Sequence, residues 1–297
     1  MKIHDTVSYF IENYEPTEQF LQRYHNEFST HFKEYFLFHC KNPEEKKKYA
    51  INQYPLNMSE IQECNNKIVT SICQVVSSYK EEYKVEFQKD VHVIVGCYGS
   101  NAFTHRQIIP EITFCLEKLS AEDKYLKVII AHEFGHALHN ILTDNAGMDW
   151  SRLQWFHPFT WLLQEGSATY FSKQITEADE SVYFSYNSTG DRWLRFAETN
   201  AQEIIHSFIN DFNKISYQEI FQEWFSINGG KRFGHTRLGY YIGYKVIEYL
   251  IERYSEMNAV TLWKEPNFTE EIMLVLQELR KPEMEQVYGD DYYTNKR

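Results

Sequence analysis

Leu126 to Leu142 reads LKVIIAHEFGHALHNIL, and the spacing of its apolar residues decides how the chain is read. Leu126, Ile129, Ile130, Phe134, Ala137, Leu138 and Ile141 recur at intervals of three and four, the pattern of one helical stripe facing a core. His132 and His136 fall mainly on the other side. Residues four apart on a helix differ by roughly 40° in direction and one turn in height, so both imidazoles can reach one tetrahedral ion. A histidine that merely filled the core would sit within the stripe. Glu133 lies where a carboxylate can take a proton from a water beside such an ion. The bare pattern H-E-x-x-H arises by accident in roughly one chain in twenty of this composition, so its weight comes from the stripe around it.

Working outward, Ser120 with Asp123 three residues on has the form of a capping box, and the helix it opens is predicted to reach about Leu142. Upstream, Val91-His92-Val93-Ile94-Val95 is short, β-branched and ended by Gly96 and Gly99, and Ile112 to Leu116 repeats the strand-like composition. Residues 5–85 follow a helical pattern punctuated at Asn42-Pro43 and Tyr54-Pro55, because the residue before proline is biased out of the helical region. Downstream, residues 143–158 form a loop carrying Trp150, Trp155 and Phe156, placed to shape a pocket. A helix with Leu162, Leu163, Ala168 and Phe171 follows, and further helices are predicted at 191–213, 216–227, 237–254 and 269–281. The predicted fold class is mainly α with a small β-sheet (α+β). Its parts are an N-terminal helical region (1–85), a sheet with the H-E-x-x-H helix (86–145) and a helical lobe (146–297), with 86–297 forming one unit.

A zinc site that activates water needs three protein ligands and an open position. Glu165, within LLQEGSATY at 162–170, is a carboxylate on an otherwise apolar helical segment. A buried, unpaired carboxylate is costly, so a charge in such company calls for a cation. His132, His136 and Glu165 are therefore the candidate ligands for a single Zn2+ ion.

This combination resembles the gluzincin metallopeptidases, which pair H-E-x-x-H on one helix with a glutamate on a later one. Glu165-Gly166-Ser167-Ala168 is similar to the E-G-x-A motif of aminopeptidase-N-like members, and Tyr240-Tyr241-Ile242-Gly243 to their Y-x-x-G segment. The resemblance implies a thermolysin-like, two-lobed unit with the active-site helix between the lobes, a peptide or protein substrate, Glu133 as general base and Tyr240 as donor to the oxyanion. Tyr241, Tyr244 and His235 are rivals for that last role, and Gly239 and Gly243 equally suit close helix packing. The 28 residues between His136 and Glu165 exceed the family's usual gap. The G-x-M-E-N segment that holds a free amino end in the aminopeptidases has no counterpart, so an endopeptidase is expected. Asn101-Ala102-Phe103-Thr104 resembles the N-A-F-W edge strand of thermolysin-like enzymes, and the whole arrangement is similar to a sparsely characterised group of predicted bacterial zinc proteases. Asn140, Asp144 and Thr169 are the expected hydrogen-bonding supports of the ligands. The alternative is a zinc-binding regulatory protein, against which Glu133 argues, since holding a metal requires no base.

Thirty Lys and Arg against 42 Asp and Glu give a net charge of −12, a sign that repels phosphate backbones, and nucleic acid is excluded as a partner. Cys40, Cys64, Cys73, Cys97 and Cys115 are odd in number and contain no C-x-x-C pair, which fits a reducing compartment. The start of the sequence shows no signal-peptide pattern and no stretch reads as a membrane span, so the expectation is a cytoplasmic protein without a membrane partner.

Overall fold

The computed structural model describes residues 1–281; the end of the predicted C-terminal lobe, 282–297, lies outside the described residues. The chain begins with β1 (Ile3–Asp5), α1 (Val7–Asn13), α2 (Glu18–Glu27), α3 (Ser29–Glu34) and the long α4 (Pro43–Tyr83). Strands β2 (Val91–Ile94), β3 (Ala102–Thr104) and β4 (Ile112–Cys115) lead to α5 (Asp123–Asn145) and α6 (Pro158–Ile175). There follow α7 (Val182–Ser185), α8 (Gly190–Thr199), α9 (Ala201–Phe212), α10 (Tyr217–Ile220), α11 (Leu238–Arg253), α12 (Glu256–Val260) and α13 (Phe268–Leu279). The fold is mainly helical with one small sheet, as predicted. Among the described residues no helix is long and apolar enough to cross a membrane.

The sheet runs β1-β2-β4-β3, with β1, β2 and β4 parallel and β3 antiparallel at the edge. The central strands β2 and β4 are buried along their whole length, as parallel strands covered on both faces must be. β1 escaped the sequence reading because three residues, two of them His4 and Asp5, carry no strand pattern.

The apolar stripe of α5 sits in a first core shared with the N-terminal helices and the sheet; Ile141 packs at its margin. A second core is built from α6, α8, α9, α11 and α13. Tyr125 and Val128 of α5 belong to the second core and Phe171 of α6 to the first, so these two helices straddle the boundary.

Several local expectations are overturned. Pro55 does not interrupt the N-terminal helices but lies inside the single α4. A proline there deprives the carbonyl four residues back of its N–H partner. That carbonyl, Ile51 C=O, accepts instead from the Tyr14 hydroxyl at 3.2 Å. The capping box at Ser120 does not form: α5 starts at Asp123, and the Ser120 hydroxyl accepts from the Glu122 N–H at 3.2 Å. The helix predicted over 191–213 breaks at Asn200 into α8 and α9, and that over 216–227 is α10 followed by a π-helical turn, Phe221–Phe225.

One buried acid organises the loop between β2 and β3. The Glu117 carboxylate accepts from the Gly96 N–H at 2.8 Å and the Tyr98 N–H at 3.0 Å, while the Tyr35 hydroxyl accepts from the Cys97 and Gly99 N–H groups. Burial raises the Glu117 pKa from 4.5 to about 7, against the opposing pull of the Gly96 and Tyr98 N–H groups. Below the unfolded value both states hold the proton. Between the two values only the folded chain does, so stability falls as pH rises, and the loss is complete above the folded value. Glu117→Gln does not titrate, so its stability relative to the native chain is expected to rise by roughly 3 kcal/mol across that window. Urea midpoints at about pH 4.5, 6 and 8 read this, and a difference that stays constant with pH removes Glu117 as the titrating group.

Candidate metal centre

Glycine decides where the helices cross. Gly135, between Glu133 and His136 on α5, faces the backbone of Ala168 on α6, and a Cβ placed on it would come within 2.9 Å of the Ala168 carbonyl oxygen. Gly166 meets Gly243 of α11 more closely still: a Cβ on Gly166 would lie 2.2 Å from the Gly243 carbonyl oxygen. Thus the glycine after Glu165 and the glycine of the Tyr240 segment touch, and they bring both motifs to the H-E-x-x-H turn of α5.

At that crossing Glu165 Oε2 lies 3.3 Å from His132 Nε2 and 3.5 Å from His136 Nε2. The three candidate ligand atoms are all within 4.8 Å of one another. The imidazole planes stand nearly perpendicular, at 88°, so their nitrogens approach one point from different directions. Burial works against ionisation of Glu165, but His136 and His132 hold its carboxyl well below the usual range. Burial holds His132 down to about 4, the neutral form a ligand needs, while at His136 the Glu165 and Glu133 carboxylates outweigh burial and raise it. One positive charge is therefore drawn to the spot where two imidazoles and a carboxylate meet. A divalent zinc ion meets that demand with the donor set it prefers.

The Glu133 carboxyl is buried beside this cluster, and desolvation raises it to about 7, with Glu165 adding and His136 opposing. All four residues line a cleft of about 1100 Å³. Asn101–Thr104 forms part of one wall, and Phe38 and His39 from one π-helical turn and Phe221 and Phe225 from another contribute to the rim. Tyr240 also lines the cleft, its ring 6.1 Å from that of His132 and nearly parallel to it.

The rivals of Tyr240 face elsewhere. Tyr241 is buried in the second core, the Tyr244 hydroxyl accepts from Lys173 Nζ, and His235 stacks on Phe196 at 4.1 Å. Two of the supports expected for the ligands are also engaged elsewhere: Asn140 donates to the Ile108 carbonyl at 2.7 Å and Asp144 accepts from Trp150 Nε1 at 2.8 Å. Thr169 Oγ1 and His132 Nδ1 are both buried without a hydrogen-bond partner among the described residues. The aromatic loop shapes no part of this cleft; Trp150 and Trp155 stack on each other and pack against Trp263 instead.

Tyr186 and Arg237 were missed in the sequence. The Tyr186 ring lies 5.4 Å from His132, edge to face, and its buried hydroxyl has no hydrogen-bond partner among the described residues. The Arg237 guanidinium lies over the rings of both Tyr186 and Tyr240. Tyr186 sits in an irregular stretch with no periodicity to mark it. Arg237, three residues before Tyr240, was readable only as a residue at a helix start.

The fold and the cluster together define a helical α+β protein with a zinc-type donor set in a cleft. Residues 11–265 match the model of the DUF5700 family, described as "Putative zinc dependent peptidase", and the chain belongs to that family. Membership places it among zinc-dependent peptidases as that description has it. No curated protein and no solved structure matches the chain.

Gly166→Ala is expected to lower stability by about 1–3 kcal/mol through overpacking and to weaken zinc binding, because α6 and α11 must part at the level of Glu165. Thermal midpoints and metal titration measure both. Unchanged values would mean that the crossing tolerates a methyl group.

Proposed function

We propose that the protein is a gluzincin-type zinc endopeptidase in which two lobes meet at α5 and α6 with the cleft between them. The observation that carries the reading is the convergence of His132 Nε2, His136 Nε2 and Glu165 Oε2 in a cleft that also holds the Glu133 carboxyl. His132, His136 and Glu165 would hold one zinc. Zinc supplies Lewis acidity, polarising a peptide carbonyl and lowering the pKa of a water molecule toward about 7.

The chain's own groups do the rest. Glu133, whose carboxyl lies buried beside the three ligands, takes the proton of the attacking water and delivers it to the departing amine. The Tyr240 hydroxyl, held neutral by burial, donates to the oxygen on which negative charge develops. β3, the end strand of the sheet and part of the cleft lining, offers backbone groups to an extended substrate, which is how sheets add a peptide strand. The sequence has no counterpart of the aminopeptidases' G-x-M-E-N segment, which favours cleavage within a chain.

Glu133→Gln is expected to keep the native zinc content while losing peptide hydrolysis by about 10²–10⁴-fold. Zinc analysis and turnover of an unstructured protein such as casein test it; activity retained in this variant removes Glu133 as the base. Tyr240→Phe is expected to cost about 10²–10³ in kcat with little change in KM. If Tyr186→Phe instead shows that loss and Tyr240→Phe does not, the donor is Tyr186.

A further inference from the structure

Four histidines meet on the sheet, outside the cleft. His4 of β1 pairs in register with His92 of β2, which pairs in turn with Thr113 of β4. The His92 ring stacks on His4 at 5.3 Å on one side and on His105 at 5.3 Å on the other, and His31 of α3 closes the group at 4.9 Å from His92. Glu111 reaches into this stack: its Oε2 lies 3.0 Å from His92 Nε2 and 3.5 Å from His105 Nδ1. The side chains of His92 and His105 are each only 9% exposed and that of Glu111 31%, so the imidazoles are buried and the carboxylate is partly open to solvent.

We propose that His92 Nε2, His105 Nδ1 and Glu111 Oε2 form a second transition-metal site, zinc being the ion its donors fit best. The three atoms lie within 4.8 Å of one another, the same convergence of two imidazoles and one carboxylate seen on α5. The remaining ring nitrogens are engaged as ligand imidazoles require. His105 Nε2 is 2.8 Å from Thr113 Oγ1, and His92 Nδ1 is 2.8 Å from His31 Nδ1. With His92 coordinating through Nε2, its Nδ1–H donates to His31, and the tautomer of each ring is set.

The site's place gives it a role. His105 follows β3 and Glu111 precedes β4, so the two ligands sit at the ends of the loop that joins these strands, and the His105 N–H donates to the Glu111 carbonyl at 2.8 Å. The third ligand is on β2, two strands away from β3. Midway along that loop the Ile108 carbonyl accepts from Asn140, one turn beyond His136 on α5. None of the three ligands lines the cleft, whereas Thr104 and Arg106, on either side of His105, do. An ion here therefore clamps the β3–β4 hairpin to the sheet and sets the position of the cleft's strand wall. It takes no part in bond cleavage.

The test is zinc and cobalt(II) binding to the full-length chain with one or other cluster removed. The native chain is expected to bind about two ions, and His132→Ala/His136→Ala and His92→Ala/His105→Ala about one each. Glu111→Gln, which keeps the side chain's size at a partly exposed position, is expected to lose the second ion. It should do so with an unchanged far-ultraviolet circular dichroism spectrum. In the His132→Ala/His136→Ala background, zinc is expected to raise the thermal midpoint, and Glu111→Gln to abolish that rise. Absence of metal from His132→Ala/His136→Ala with one ion kept by His92→Ala/His105→Ala overturns the proposal and leaves the proposed active site intact. The opposite result supports the second site and removes the first. Metal content unaffected by Glu111→Gln overturns the ligand assignment.

Discussion

α6 meets both α5 and α11 through glycine, and everything at the candidate centre depends on those two contacts. At Gly135 the opposing surface is the backbone of Ala168, and at Gly166 it is the backbone of Gly243. Helices that pack through ordinary side chains keep their axes 8–10 Å apart, on the order of what leaves room for a layer of leucines. Here that layer is absent for one turn, and a short carboxylate on α6 spans directly to the imidazoles of α5. The E-G and Y-x-x-G motifs thus describe one contact seen from two helices. The glycines are what allow Glu165 and Tyr240 to reach the histidines of α5.

Electrostatics pulls against this packing. Glu165 and Glu133 lie close together beside apolar helices, and desolvation opposes ionisation of each. The nearby imidazoles resolve the conflict for Glu165 and leave Glu133 near neutrality. Two carboxyl groups on neighbouring helices are thus separated in acidity by what each one faces. The same burial acts on Tyr240 and Tyr186, whose phenols stay protonated.

Much of this was legible in the sequence because it rests on periodicity. The stripe from Leu126 to Ile141 separated packing positions from His132 and His136, and its residues lie in or against the first core. Glu165 stood out by its apolar neighbours, and Tyr240 by the resemblance of its segment to a known family's motif. What could not be read depends on distant partners. Pro55 looks like a helix breaker until Tyr14, far away in the chain, takes up the carbonyl it frees. Ser120 and Asp123 have the spelling of a cap, but the backbone ahead of α5 turns two residues later than that spelling requires. The His92 cluster draws on β1, α3, β2 and the β3–β4 hairpin, and β1 was itself invisible; four histidines scattered over a hundred residues have no spacing to recognise.

The antiparallel strand at the rim carries a hazard of its own. An uncovered sheet edge is a template for other copies of the same chain, and proteins that keep one must protect it from self-association. β3 is three residues long, and its central aromatic, Phe103, is buried under the His39 ring at 3.7 Å. Its residues also line the cleft rather than a free outer face. A strand this short, with its aromatic stacked on a ring and its residues turned into a cleft, offers a second copy little length to pair with, and so the edge is blunted by brevity and cover rather than by charge.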